Sequence, residues 1–482
     1  MEDSTFDPRL RAVLPADFHW GYATAAPQIE GGWSSDGRGP SIWDAFSNTP
    51  GKIRDGTNCE DTCKSYELWK QDIARMMDYG AKAYRFSIAW SRLIPLGGKD
   101  DPVNEAGVEY YNKLIDELRS NDIEPFVTLY HWDLPQELLD RYGGMVDKER
   151  FTADFVRYAR LCFEKFGDRV RYWITYNEPG LSARAGYIQG RNAPGIKSRP
   201  DAYKVAHSQL VSHGHVCALY KSEFQPHQHG HIMITLDGNW YEPWDENDPK
   251  DIEAAQRGRD FEIGWFAEPL YGNGDYPASM REQLGSLLPR FTKEEKKLVR
   301  GSSEFYGLNS YTTFFARHLD DPDEHWDYRG NVKFLDENKA GQSRGLETDT
   351  HWLRVNPQGW AKLLRYIWGR YKLPIFITEN GTTVKGEHGS ASPEDAQHVL
   401  QDPDRVAFFR AYIGEVAKAR LEGVDIRSYF AWSFLDNWEW SLGYTSRFGV
   451  TWVDFDNPDK PRYAKQSAYF LKDYFSHLIE SK

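Results

Sequence analysis

The sequence predicts a parallel (β/α)8 barrel, with residues 1–482 forming one domain. Three observations predict it. Eight short apolar runs, rich in β-branched and aromatic residues, alternate with stretches of helical periodicity. No linker, internal repeat or low-complexity segment interrupts the alternation. No G-x-G-x-x-G or Walker pattern follows an early strand, which sets aside an open doubly wound sheet.

The elements follow in order. Phe18–Ala25 is the first strand, with Gln28-Ile29-Glu30-Gly31 just beyond it. A Gly/Ser/Asp-rich loop runs to about Asn58. Cys63, Tyr66, Trp69, Ile73, Met76 and Met77 then recur at helical spacing, and Gly80 ends that helix. Ala83–Ile88 is the second strand and carries Arg85; a helix follows near Glu105–Ser120. Pro125–Tyr130 is the third strand and runs into His131-Trp132-Asp133, before a helix from about Glu149 to Phe166. The fourth strand, Tyr172-Trp173-Ile174-Thr175-Tyr176, ends on Asn177-Glu178-Pro179, and Asp201–Glu223 is helical. The fifth strand is His231–Leu236, with helical patterns near 251–264 and 292–300. The sixth, Phe305–Tyr311, ends in Asn309 and Tyr311, and Gly359–Tyr371 is helical. The seventh, Ile375–Glu379, is opened by Pro374 and closed by the turn Asn380-Gly381. Arg405–Glu422 is helical, Ser428–Ser433 is the eighth strand with Trp432, and Tyr463–Leu478 is the closing helix. Long inserts at 31–58, 237–290 and 316–350 follow strands one, five and six. Strand-to-helix loops lie on the face where barrels keep their active sites, so these inserts are expected to wall a pocket.

Two strands deliver a glutamate at their C-terminal ends, Glu178 and Glu379. In a barrel such ends share one rim, so the pair becomes a candidate paired-carboxylate site. Cleavage of a glycosidic bond with retention needs two carboxyl groups about 5–5.5 Å apart, one ionised and one protonated. Arg85 is placed to keep Glu379 ionised and Tyr311 to orient it; Glu178, beside Asn177, is then the acid/base. Gln28, His131, Trp132, Asn309 and Trp432 occupy the same rim. Taken singly, His131 and Trp432 read as core residues and Glu439 as a turn charge; their recurrence at strand ends is what makes them a set.

Composition narrows the partners. The net charge of −13 opposes nucleic acid and anionic membrane surfaces. No run approaches the eighteen apolar residues of a membrane span. Eighteen Trp fit a carbohydrate site, because flat rings meet the C–H faces of sugars, although core packing accounts for most aromatics. Met1-Glu2-Asp3-Ser4 has no basic region leading into an apolar run, and four Cys make no disulfide framework; both favour the cytoplasm. Cys59 and Cys63 are expected to be free thiols. His227, His229 and His231 have cluster spacing but no nearby Cys or acidic pair, so no metal is expected, and carboxylate-pair catalysis needs no cofactor.

Thr175-Tyr176-Asn177-Glu178-Pro179 and Ile377-Thr378-Glu379-Asn380-Gly381 resemble the two signature motifs of glycoside hydrolase family 1. The likeness runs through Trp20–Ala25, Gln28–Gly31, Tyr84–Ser87, His131–Pro135 and Trp432 to Gly449, and is closest to fungal intracellular β-glucosidases. It implies Glu178 as acid/base and Glu379 as nucleophile. It implies that Gln28, His131, Asn177, Glu439 and Trp440 hold the glycone hydroxyls, that Trp432 stacks beneath the ring, and that Trp132 and Phe448 line the same subsite. It implies terminal β-glucosyl residues of cello-oligosaccharides and aryl or alkyl glucosides as substrates, with galactosides and fucosides as side substrates and transglycosylation open to an acceptor alcohol. Glu439 disfavours a phosphoglycosidase, whose pattern has Ser there with a later Lys and Tyr; Arg447 is the nearest cation. Retention of both glutamates disfavours a non-catalytic sugar-binding barrel. Two positions depart from the pattern. Pro27 stands where Tyr is usual and bears on the aim of Gln28, and Gly180 replaces a bulkier residue and is expected to open the aglycone side.

Overall fold

Eight short strands pair in parallel and close on themselves. In the computed structural model, which describes residues 6–387 and 397–481, they are β1 His19–Ala23, β2 Ala83–Ser87, β3 Glu124–Tyr130, β4 Tyr172–Asn177, β5 His231–Asp237, β6 Tyr306–Asn309, β7 Ile375–Asn380 and β8 Ile426–Trp432. They follow one another around the barrel in chain order, and β8 returns to β1. Both faces are covered, so the strands are almost wholly buried, as parallel sheets require. Register aligns the functional ends: Ala23 pairs with Arg85 on one side and Trp432 on the other. Asn309 pairs with both Asp237 and Glu379.

Two glycines make the closure sterically allowed. A Cβ at Gly21 would lie 1.7 Å from the Ala83 carbonyl oxygen, so only glycine lets β1 reach β2 there. A Cβ at Gly381 would lie 1.7 Å from the Trp432 carbonyl oxygen, which keeps the ends of β7 and β8 together. Aromatic rings plug the N-terminal end. Phe126 and Tyr172 stack at 4.2 Å, and Phe430, His19 and Phe376 pack edge-on or tilted against Phe126.

The helices at Ser65–Asp78, Glu105–Ser120, Lys148–Phe166, Arg199–Leu219, Pro357–Tyr371, Pro403–Leu421 and Gln466–Leu478 lie close to the predicted spans. Their starts carry local chemistry: the Asp147 carboxylate accepts from the Arg150 N–H at 3.1 Å, and the Asn356 side chain accepts from the Gly359 N–H at 2.8 Å. None of the described helices is long and apolar enough to cross a membrane.

The structure corrects several expectations. β6 ends at Asn309, so Tyr311 stands two residues beyond the strand rather than in it. Tyr463 belongs to a short strand, Arg462–Ala464, antiparallel to Thr451–Val453, and the last helix starts at Gln466. Arg462 is buried there against Asp72 at 2.8 Å, which holds this segment extended. The helix begun at Pro249 runs through a wide turn, Asp260–Gly264, into Trp265–Tyr271, longer than the predicted 251–264. The inserts after β5 and β6 build a three-stranded sheet from Trp240–Pro243, Thr313–His318 and Val332–Leu335. His231 opens β5 at the end opposite the functional rim, with its Nδ1 2.8 Å from Glu304 Oε2. Cys59, Cys63, Cys162 and Cys217 are buried free thiols.

Candidate active site

A cavity of about 480 Å³ opens at the C-terminal rim, and Glu178 and Glu379 both line it. β2 contributes Arg85, fully buried beneath the pair. Its guanidinium spans the site: Nη1 donates to Glu379 Oε1 at 2.6 Å and to the Thr378 carbonyl at 3.1 Å. Nη2 donates to Asn177 Oδ1 at 2.6 Å and Nε to Thr128 Oγ1 at 3.2 Å. Tyr311 O–H donates to the other Glu379 oxygen at 2.7 Å. One cation and one phenol therefore serve Glu379. Glu178 receives a neutral amide instead, Asn309 Nδ2 at 2.9 Å.

Neighbouring bonds fix the amides. Asn309 Oδ1 accepts from Thr378 Oγ1 at 2.8 Å, which turns its NH2 toward Glu178 and Asn177. Asn177 Oδ1 is taken by Arg85 and Asn309, so its NH2 points to His131 Nε2 at 2.9 Å. Burial holds His131 well below the usual imidazole range, which leaves Nε2 free to accept and places the proton on Nδ1. That N–H has no partner among the described residues.

The electrostatics separate the two carboxyls. Burial, then the charge of Glu379, then Asp237, push Glu178 well above the carboxylate range. Burial also raises Glu379, but Arg85 and the Tyr311 bond oppose it. Of the two, Glu379 is the more readily ionised and Glu178 the one that holds its proton more firmly. Three residues at this rim, Trp132, Glu178 and Trp440, adopt left-handed backbone conformations with φ of 73°, 45° and 53°. Each costs roughly 1–3 kcal/mol and persists where surrounding packing fixes it.

The aromatic wall joins several of the predicted residues. Trp132 and Trp440 rings lie 4.6 Å apart, and His131 stacks with Trp432 at 6.1 Å. Trp132 Nε1 donates to the Asn177 carbonyl at 2.8 Å. Phe448 meets Tyr311 edge-on at 5.9 Å. Pro27 sits in the first turn of the short helix Ala26–Ile29, where its missing N–H is not needed. Gln28 Nε2 donates to Asn437 Oδ1 and the Trp438 carbonyl at 3.0 Å and to Glu439 Oε2 at 3.3 Å. Gly180 is buried, and a Cβ there would meet Arg184, Asp237 and Phe266 at 3.4–3.5 Å. Arg447 is consumed structurally: it donates to Asp436 at 3.0 Å and lies over the Trp452 and Phe455 rings.

Sequence reasoning missed Asp237, Arg184 and Glu262, a buried group beside Glu178 in which Arg184 pairs with Asp237 at 3.0 Å and Glu262 at 2.8 Å. Asp237 ends β5, and the strand-end rule that found the other residues would have found it.

Burial, then the charge of Glu379, push Glu439 up to about 8. A raised carboxyl holds its proton in the native state at a pH where the unfolded chain has lost it. Stability therefore falls as pH rises from the ordinary carboxylate range toward 8. Glu439→Gln removes that cost. Its melting temperature is expected to exceed the wild type's by about 1–3 °C at pH 8, a gap that closes toward pH 5 in a thermal melt series.

Two buried carboxyls held unequal on one barrel rim are what acid-assisted cleavage of a glycosidic bond demands. That places the protein among the barrel glycoside hydrolases. Comparison with known proteins gives the particular family. The profile of glycosyl hydrolase family 1 matches residues 10–479. The chain is 47% identical to Beta-glucosidase 1B of Phanerodontia chrysosporium over 480 residues, covering 97% of this chain and 87% of that one. The crystal structure of the β-glucosidase from Trichoderma harzianum superposes with a TM-score of 0.94 at 49% identity, covering 97% and 98% of the two chains. A family 1 β-glucosidase from Humicola insolens in complex with glucose gives 0.94 at 47% identity, covering 97% and 99%. The chain belongs to glycosyl hydrolase family 1 and is an O-glycosyl hydrolase.

Proposed function

We propose that the protein is a β-glucosidase that removes terminal non-reducing β-glucosyl residues from short oligosaccharides and from aryl and alkyl glucosides, with retention. The observation that carries this reading is the unequal support of the two glutamates. Arg85 and Tyr311 bind Glu379, while Glu178 meets Asn309 alone. Glu379 attacks the anomeric carbon as the carboxylate, and Glu178 passes its proton to the departing oxygen. Water then attacks the glucosyl ester, and Glu178 recovers a proton from it. Esterifying Glu379 removes the charge that raises Glu178, so the acid of the first step becomes a competent base for the second. An acceptor alcohol in place of water gives transglycosylation.

Gln28, His131, Asn177, Glu439 and Trp440 hold the glycone hydroxyls in this reading, with Trp432 beneath the ring and Trp132, Asn309, Tyr311 and Phe448 beside it. Glu439 stands where the phosphoglycosidase pattern has Ser, and Arg447, bound to Asp436, offers a 6-phosphate no counter-charge. Initial rates on 4-nitrophenyl β-glucoside and its 6-phosphate test the assignment. The neutral glucoside is expected to be favoured at least about 100-fold in kcat/KM. A folded protein that turns over neither substrate, or that prefers the phosphate, would contradict it.

A further inference from the structure

The loops after β4 and β6 bring an unusual pair of cations to the cavity. Arg191, Arg329, Arg184 and Arg344 all line it. Two of them are neutralised within the protein. Arg184 pairs with Asp237 and Glu262, and Arg344 pairs with Asp336 at 2.7 Å. Arg191 and Arg329 have no carboxylate partner among the described residues.

One relay holds both in place. Arg191 Nε donates to Gln189 Oε1 at 2.6 Å, Gln189 Nε2 donates to the Tyr328 hydroxyl at 2.6 Å, and Arg329 Nε donates to the same hydroxyl at 3.2 Å. Each guanidinium is thereby anchored through Nε, while its terminal NH2 groups have no other hydrogen-bond partner among the described residues. Arg329 also lies over the Phe334 and Trp326 rings at 5.0 and 5.8 Å. Arg191 is exposed within the cavity; the protein packed around it, then the Arg329 charge, push it down to about 10, with Tyr328 opposing and Arg184 adding to the shift. An anion at this point would relieve that repulsion. In a chain of net charge −13, two fixed cations without counter-ions at one cavity are not a by-product of a basic surface. Trp326, Phe314 and Phe334 line the cavity beside them with flat apolar faces.

We propose that this part of the cavity accepts an aglycone bearing a carboxylate on an aromatic ring. Arg191 and Arg329 receive the carboxylate, and Trp326, Phe314 and Phe334 flank the ring. The favoured substrates are then glucosides of phenolic acids. The inference rests on the β-glucosidase reading above and adds the chemical class of its leaving group.

The test compares 4-carboxyphenyl and 4-carbamoylphenyl β-glucoside, which match in size and differ in charge. The ratio of their kcat/KM values is measured for the wild type, Arg191→Gln and Arg329→Gln. Comparing ratios between variants cancels both intrinsic leaving-group reactivity and any general loss of activity. The acid-to-amide ratio is expected to fall about 10-fold in each variant, the worth of one charge-assisted hydrogen bond. Raising NaCl toward about 1 M is expected to lower the wild-type ratio too, because it screens the contact; this arm stands even where a variant fails to fold. A ratio that neither variant nor salt changes overturns the proposal. Turnover of 4-nitrophenyl β-glucoside, run alongside, tells the two readings apart. If it is hydrolysed and the acid glucoside shows no such dependence, only the carboxylate site fails; if it is not hydrolysed, both readings fall.

Discussion

Glu379→Ala is expected to lower kcat on 4-nitrophenyl β-glucoside by at least about 10⁴-fold, and sodium azide to restore turnover with α-glucosyl azide as the product. The size of the loss follows from the residue's position. Among the described residues of the site, no other carboxylate has both a cation and a phenol directed at it, with Arg85 Nη1 at 2.6 Å and Tyr311 O–H at 2.7 Å. Azide fits the space left by the carboxylate and attacks the same face of the sugar. Without the first inversion by Glu379, its single displacement gives the inverted anomer. The substitution also leaves Arg85 buried without its counter-charge, and breaking a buried pair in this way costs about 3–5 kcal/mol. Glu379→Gln keeps the shape and hydrogen-bonding capacity, so it is the control. Both variants are expected to be inactive, and equal loss in the two assigns the effect to the missing nucleophile rather than to a loosened site.

The second large effect belongs to Glu178. Glu178→Ala is expected to slow hydrolysis of poor leaving groups such as alkyl glucosides by about 10³–10⁴-fold, and to affect 2,4-dinitrophenyl glucoside far less in the glycosylation step. A good leaving group needs no proton; a poor one does. The pH profile should change in the same direction. In the wild type, burial and the nearby Glu379 charge keep Glu178 protonated above the usual carboxylate range. Activity is therefore lost on the alkaline side as that proton leaves, and on the acid side as Glu379 gains one. Removing Glu178 should flatten the alkaline limb and preserve the acid limb. Azide should now give the β-azide, because Glu379 still performs the first displacement.

Much of this site is legible in the sequence, for a simple reason. A barrel converts strand ends into neighbours, so His131, Asn177 and Glu379 need only lie at or beside their strand ends to meet; Arg85 stands two residues inside the end of β2 and reaches up to them. Amphipathic helices such as the one near Glu105–Ser120 are also legible, since one face is buried and periodicity reports it. Tyr311 reads as the end of β6 in the sequence, whereas the chain leaves the sheet at Asn309 to feed the insert. The sheet made by Trp240–Pro243, Thr313–His318 and Val332–Leu335 was not readable. Its strands are short, and their pairing joins segments from two separate inserts. The left-handed backbone at Trp132, Glu178 and Trp440 was equally hidden, because no glycine marks it. Pro27 lies in the first turn of Ala26–Ile29, where a proline costs a short helix nothing. Arg191 and Arg329 lie in loops without a motif, and only the fold shows that they share a cavity and lack counter-ions.

The most direct measurement of the central claim is to trap the intermediate. The wild type is incubated with 2,4-dinitrophenyl 2-deoxy-2-fluoro-β-glucoside, digested, and mapped by mass spectrometry. The fluorine slows both steps and the leaving group rescues the first, so the glucosyl ester accumulates. One fluoroglucosyl group on the peptide carrying Ile377-Thr378-Glu379-Asn380, localised to Glu379, is the predicted result. A label on any other residue, or dinitrophenol release at a steady rate with no covalent adduct, would contradict the assignment of Glu379 as the nucleophile.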